Sequence, residues 1–304
     1  MSAPMAAQEA HRSTTTHPSD AYGHRIKGPS ALGSSPRRMW HLTWSLARTE
    51  FKLAYFGSVL GYLWQLMRPL MLFGVIYGVI SAFDKKLSAG APLFPVAILL
   101  GIVMYNLFSE GTAGAVSCLL NRENLVRKIE FPRLAVPLAT VITSLMNYSL
   151  NMIPVVVFLL AAGGAIRWTW IEVPALVLLL TAFITGLAAV LSVSYVRYRD
   201  VRPIWEVVLQ MMFYGSPIFY SISSLKHLTL LGVRVNIAHV MMANPFSAIL
   251  EQMRHVLISP RYPNAAQAIG GPAMLMIPVG IGLAVIVFGF LLFDREAPRV
   301  AEQL

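Results

Sequence analysis

Two stretches of this sequence, Val173–Val196 and Ala268–Phe293, contain no charged residue at all. Each is long enough to cross a hydrocarbon core about 30 Å thick, which takes roughly 20 helical residues. Lipid offers no partners to backbone N–H and C=O groups, so such runs must satisfy them internally, as transmembrane helices do. The rest of the chain agrees. Hydrophobic residues make up 56% of it and charged residues 12%, against about 25% charged in a soluble domain. Mean hydropathy is +0.63. The single cysteine, Cys118, excludes an intrachain disulfide framework, and no Cys/His cluster has metal-ligand spacing. The formal charge of +10 resides mainly in the N-terminal tail and in short connectors. That distribution fits membrane topology and argues against nucleic acid as a partner.

The pattern predicts an all-α integral membrane protein with about six transmembrane helices. Residues 1–36, rich in Ser, Thr, His and Pro and without an apolar segment, read as a disordered cytoplasmic tail. Residues 37–56 interleave Trp40, Trp44, Leu46 and Phe51 with Arg37, Arg38, Arg48 and Lys52. They predict an amphipathic helix lying in the headgroup region. The transmembrane domain then covers 57–293, with 294–304 as a polar cytoplasmic tail. Expected spans are Trp64–Phe83, Pro92–Glu110 with extension toward Leu120, Leu134–Ala162, Val173–Val196, Pro203–Tyr220 and Ala268–Phe293. Pro137 and Pro154 are expected kinks. The segment Ser221–Gln267 mixes short apolar pieces with Pro, Asn and charge, and predicts re-entrant or interfacial helices. Ser216-Pro217 is expected to break the fifth span at its outer end.

Orientation follows from Lys and Arg. With the N-terminus inside, the cytoplasmic connectors hold Arg122, Arg127, Lys128 and Arg133, then Arg197, Arg199 and Arg202, then Arg295 and Arg299. The short outer loops hold Lys85, Lys86 and Arg167. The bias places both termini in the cytoplasm.

The connector Asn121–Arg133 puts Leu125 and Ile129 four residues apart on one helical face, with charged residues around them. An apolar ridge with a charged rim on the cytoplasmic side suits docking against another protein. Arg68, Glu110 and Glu206 fall near the cytoplasmic ends of spans, where snorkelling or a structural pairing, such as Arg68 with an acid, accounts for them better than a proton relay. Gly57-Gly61 and Gly74-Gly78 have the spacing that lets helices approach closely. No Gly-x-x-x-x-Gly-Lys-Ser/Thr segment is present, so this chain has no P-loop for ATP. No catalytic triad or carboxylate pair gathers in one place.

Several motifs occur in a recognisable order: Phe51-Lys52-Leu53-Ala54-Tyr55-Phe56-Gly57-Ser58-Val59-Leu60-Gly61-Tyr62-Leu63-Trp64, then Pro69-Leu70, the run Asn124-Leu125-Val126-Arg127-Lys128-Ile129-Glu130-Phe131-Pro132-Arg133, then Arg199-Asp200-Val201, Ser216-Pro217-Ile218-Phe219-Tyr220, and Asn244-Pro245 with Arg254. Together they resemble ABC-2 type permeases, the membrane subunits of polysaccharide, O-antigen, galactan and teichoic-acid exporters, from about Met39 to Phe293. Arg68 departs from the small polar or apolar residue common before the proline. The resemblance implies a permease that is not an enzyme, working as a homodimer in the bacterial plasma membrane. ATP and Mg would bind on a separate nucleotide-binding ATPase subunit, and this chain would bind no cofactor or metal. Asn124, Leu125, Val126, Arg127, Lys128, Ile129 and Phe131 would form the coupling helix that receives the ATPase's motion.

The cargo implied is a lipid-linked polysaccharide, moved from the cytoplasmic to the outer face. Its path would run past Tyr62, Phe73 and Tyr77 on the first span and Trp205, Phe213, Tyr214, Phe219 and Tyr220 on the fifth. Arg37, Arg38, Arg48 and Lys52 of the amphipathic helix would meet its pyrophosphate-bearing head, with the helix acting as a gate. Membrane lipid is the remaining partner. Rival readings are an ABC-2 permease for a drug or small amphiphilic lipid, a membrane-embedded glycosyltransferase, and an ion-coupled carrier. The isolation of Asp84 and Asp200 argues against the glycosyltransferase, and the lack of paired broken helices in two halves against the carrier.

Overall fold

A computed structural model of the chain describes residues 36–56, 61–83, 93–126, 131–222, 228–230 and 233–303. Among them five helices are long and apolar enough to cross a membrane: Leu63–Ala82, Phe94–Val116, Ala135–Ala161, Trp168–Arg197 and Met276–Ala297. These lie within α2 (Gly61–Phe83), α3 (Phe94–Val116), α5 (Ala135–Ala161), α6 (Val173–Arg197) with the 3-10 turn before it, and α11 (Met276–Gln303).

The expected fifth span, Pro203–Tyr220, is shorter than expected. α7 runs Val201–Gly215 and stops there. Its 15 residues rise about 22 Å, short of a full crossing. The residue before a proline is pushed out of the α region, and Ser216, before Pro217, sits at φ −100°, ψ 153°. The chain turns there and re-enters the protein at Ile218, which is fully buried.

The direction of the chain beyond α6 follows from the packing. Near the start of α6, Leu176 and Leu179 share a cleft with Val279 and Leu283 of α11. Near its end, Val193 and Val196 share a core cluster with Phe293 and Ala297. α6 and α11 therefore run parallel, and the chain between them must return across the bundle. α7 with its buried turn makes that return. The last span also differs from expectation: Ala268 and Ile269 belong to the separate short helix α10 (Ala265–Ile269), while α11 continues helically through the polar end of the chain to Gln303.

α3 is the hub. Its apolar residues point in every direction, and Ile98, Leu100, Ile102, Val103, Met104 and Phe108 are all fully buried, as a helix hydrophobic all round requires. α2, α5, α6, α7 and α9 (Pro245–Leu257) pack around it. Where α6 meets α11 the backbones themselves touch. A Cβ at Gly289 would stand 2.2 Å from the Gly186 carbonyl oxygen, and one at Gly186 would stand 2.8 Å from Ile286 Cα. The expected close approach at Gly74 and Gly78 is not made within the chain, since nothing lies within 4 Å of either.

Between α7 and α11 the segment folds as a short antiparallel hairpin, β1 (Leu228–Leu230) with β2 (Val233–Val235), pairing Leu228 with Val235 and Leu230 with Val233. A helix is not formed there because Leu-Thr-Leu and Val-Arg-Val alternate with the period of a strand. Three short helices follow: α8 (Ile237–Met242), α9 (Pro245–Leu257) and α10. Each is entered through an asparagine whose side chain accepts a backbone N–H of the first turn, Asn236 from Ala238, Asn244 from Phe246 and Asn264 from Gln267. These caps explain why polar residues interrupt the apolar pieces. Gln267 completes a capping box.

The candidate coupling face and translocation path

The connector begins as a 3-10 turn, Leu120–Arg122, and a single helical turn, α4 (Glu123–Val126). Val126 points inward and is fully buried in a cluster with Cys118, Leu119, Leu134 and Phe293, against which Phe131 also packs. Asn124 is exposed and Leu125 half-buried. The inner residue thus anchors the turn while its neighbours face outward. Arg127, Lys128 and Ile129 lie outside the described residues. The buried Arg133 donates to the Ala297 carbonyl of α11, and Arg122 forms an ion pair with Glu50 of α1 (Pro36–Tyr55). α1, the connector and the C-terminal part of α11 therefore gather on one face of the bundle.

On that face α1 turns Thr43 and Ala47 inward and leaves Arg37, Arg38, Trp40, Trp44, Arg48 and Lys52 exposed. The face presented away from the protein is thus aromatic and basic, as an interfacial helix needs. The acid among these bases is turned to the protein: Glu50 reaches Arg122 and stands 3.0 Å from the Thr143 hydroxyl. Glu110 accepts from Asn147 at 2.8 Å and from Gln65 at 3.2 Å, which hydrogen-bonds the acid near the end of α3. Arg68 is exposed on α2, and no ion pair to it is found among the described residues. The expected pairing of Arg68 with an acid is replaced by these neutral donors.

The aromatic residues expected along a path divide into two groups. Tyr77 and Tyr214 are open, at 38% and 66% exposure. Phe73 stacks on Tyr77 with ring centres 5.7 Å apart and lines a 230 Å³ apolar pocket with Leu93, Leu99 and Phe158. Trp205 points inward, donating to the Thr112 hydroxyl of α3 at 3.1 Å. Phe213 packs at 4.8 Å from both Tyr105 and Phe219, forming the wedge that holds the α7 break against α3. Tyr220 donates to the Tyr214 carbonyl at 3.3 Å. The side chain of Tyr62 lies outside the described residues. Besides Tyr214, the open face of α7 carries Ile204, Val207 and Met211, spaced three and four apart along one stripe. Replacing Trp205 by phenylalanine is expected to cost about 1 kcal/mol through the lost Thr112 bond, read as a lower thermal midpoint in detergent. An unchanged midpoint would show that bond to be dispensable.

The most consequential polar group was visible in the sequence only as a motif position. Arg254 on α9 is 2% exposed and pairs at 3.1 Å with Glu251, which is fully buried. Its guanidinium also donates to the carbonyls of Ile218 at 2.9 Å, Tyr220 at 3.3 Å and Ala97 at 3.5 Å. It satisfies the backbone where α7 has ended and α3 begins, which buried carbonyls require. A charge in the middle of an amphipathic segment too short to span is the signal by which the sequence could have singled it out.

Among known proteins, the chain is 26% identical over 239 residues to the O-antigen export system permease protein RfbA of Myxococcus xanthus, covering 79% of this chain and 86% of that protein. It is 26% identical over 178 residues to the protein of the same name from Klebsiella pneumoniae, covering 58% of this chain and 67% of that one. The ABC-2 type transporter family matches residues 41–258, which run from within α1 through α9 and hence take in the connector, the broken α7 and the Arg254 site. The chain is a multi-pass membrane protein that belongs to the ABC-2 type transporter family.

Proposed function

We propose that this chain is the permease subunit of an ATP-driven exporter that moves a lipid-linked polysaccharide from the cytoplasmic to the outer face of a bacterial plasma membrane. The relatives named above support the cargo class, being O-antigen export permeases over most of their length. The observation that carries the coupling role is the connector. Val126 is sunk in the core while Asn124 and Leu125 face outward, on the same face as α1 and the end of α11. That face also bears Arg122, Arg133, Arg197, Arg199, Arg202 and Arg295, and the positive-inside rule makes it cytoplasmic, with both termini. A nucleotide-binding subunit docks there and holds ATP and Mg, and this chain binds no cofactor and performs no hydrolysis.

Two copies assemble, with α2 and α7 of each facing the other. The support is that these helices leave apolar faces uncovered, Met71, Val75 and Val79 on α2 and Ile204, Val207 and Met211 on α7. Tyr77 and Tyr214 line the path, with Phe73 and Tyr220 beside them and Trp205, Phe213 and Phe219 supporting them from behind. Aromatic faces suit the C–H faces of sugars. Arg37, Arg38, Arg48 and Lys52 on the exposed side of α1 receive the pyrophosphate-bearing head at the gate.

The test is co-purification of the genomically adjacent ATPase on a tag carried by this chain alone. Wild type is expected to retain it in equal amount, and Leu125→Asp to lower retention by about tenfold, since a carboxylate is then forced into an apolar contact. Equal retention by the variant would remove Leu125 from the interface. Surface glycan lost on deletion of the gene separates this cargo from a drug or small amphiphile, for which the glycan would persist.

A further inference from the structure

α1 rests on α5 through a narrow face, since Thr43 and Ala47 are its only residues fully buried. Neither carries much apolar area, so burial alone does little to fix its register. It is held instead by polar contacts that reach three other elements. Glu50 pairs with Arg122, one residue before α4 begins, and the Thr143 hydroxyl of α5 braces the same carboxylate at 3.0 Å. Five residues further on, Tyr55 donates to Asn147 Oδ1 at 2.7 Å. Asn147 Nδ2 donates to one oxygen of Glu110, and Gln65 near the start of α2 donates to the other. Arg122 and Glu50 retain 19% and 26% exposure, so the pair is partly withdrawn from water and less screened than a surface bridge.

We propose that the Glu50–Arg122 pair is the positioning contact that carries displacement of the connector to α1, with Tyr55, Asn147, Glu110 and Gln65 extending it to the base of α2. The inference rests on the reading of the connector as the ATPase-docking element. A shift of α4 moves the Arg122 guanidinium with it, because the two are adjacent in one turn. A charge-assisted bond between partly buried groups resists separation. The carboxylate must follow, and α1 with it. Glu50 and Arg122 touch neither cargo nor nucleotide; they act through the helices they join.

Cys118, the only cysteine, is buried, so a single thiol placed at the exposed Ser45 of α1 reports that helix alone. In the purified complex of Ser45→Cys permease with its ATPase, Mg-ATP is expected to change the maleimide labelling rate by about threefold. Glu50→Arg or Arg122→Glu added singly should abolish the change while the ATPase still co-elutes. The charge swap, Glu50→Arg with Arg122→Glu, should restore it. A mere structural weakening would not be rescued by exchanging the charges. An undiminished response in both single variants, no response in the parent complex, or no rescue by the swap would overturn the proposal while leaving docking intact. Failure of the ATPase to co-elute with the unaltered permease would instead overturn the docking reading, and this one with it.

Discussion

Arg254→Met is expected to destabilise the protein by about 3–5 kcal/mol, because it leaves Glu251 buried without its counter-charge. The loss would appear as a fall of about 10 °C in the thermal midpoint in detergent. It reaches further than one ion pair, since the carbonyls of Ile218, Tyr220 and Ala97 lose a donor at the same time. These carbonyls close the turn after α7 and the first turn of α3, so the break in α7 should loosen with them. The pH dependence has a definite sign. Burial pushes the Glu251 carboxyl above the ordinary carboxylate range, and Arg254 draws it back. With Arg254 gone the push of burial is opposed only by the lesser pull of His255, and the folded variant holds a proton that the unfolded chain releases. Folding then binds protons, so stability falls as pH rises, and the penalty is greater near pH ~8 than near pH ~5. The double variant Arg254→Met, Glu251→Leu should recover part of the loss, because no charge is then stranded. A double variant less stable than Arg254→Met would refute the account.

The second large effect lies where α6 and α11 touch. Gly289→Ala places a methyl carbon 2.2 Å from a backbone oxygen, which no rotamer change relieves. The helices must part, at a cost of about 1–3 kcal/mol as overpacking, and more for Gly289→Val. Gly280→Ala, on the same helix with nothing within 4 Å, is the matched control and should be neutral or slightly stabilising. The two alanine variants, compared by thermal midpoint at equal expression, separate a packing effect from any general response of α11 to losing a glycine. Equal midpoints would mean that the close approach of Gly186 and Gly289 is not maintained in the membrane.

Much of the architecture was legible because the bilayer enforces a single length and a single polarity. Val173–Val196 could not have been anything but a span, and α6 occupies it almost residue for residue. Ser216-Pro217 announced the end of α7 through proline's effect on its neighbour. Span number was less legible at α7: apolarity continued to Tyr220, yet the helix stopped at Gly215, since hydropathy counts residues and does not register where the backbone turns. The aromatic and basic face of α1 was plain in the sequence. Its attachment was not, since Glu50, Thr143 and Arg122 lie far apart in the chain and no local pattern joins them.

What the sequence by itself determined is the solvent and the period: charge-free runs demand lipid, Asn and Pro mark the ends of helices, and ordered motifs point to the family. All of these are local, acting within a turn or a span. Only the tertiary structure decided that α6 and α11 pack directly on each other, that Gly186 and Gly289 rather than Gly74 and Gly78 bring helices of this chain together, and that Arg254 closes the break in α7. It also decided that Trp205 and Phe213 are packed while Tyr77 and Tyr214 stay open. These are facts about which helix faces meet, and in lipid all apolar faces are alike to the solvent, so shape and hydrogen bonding between distant residues make the choice.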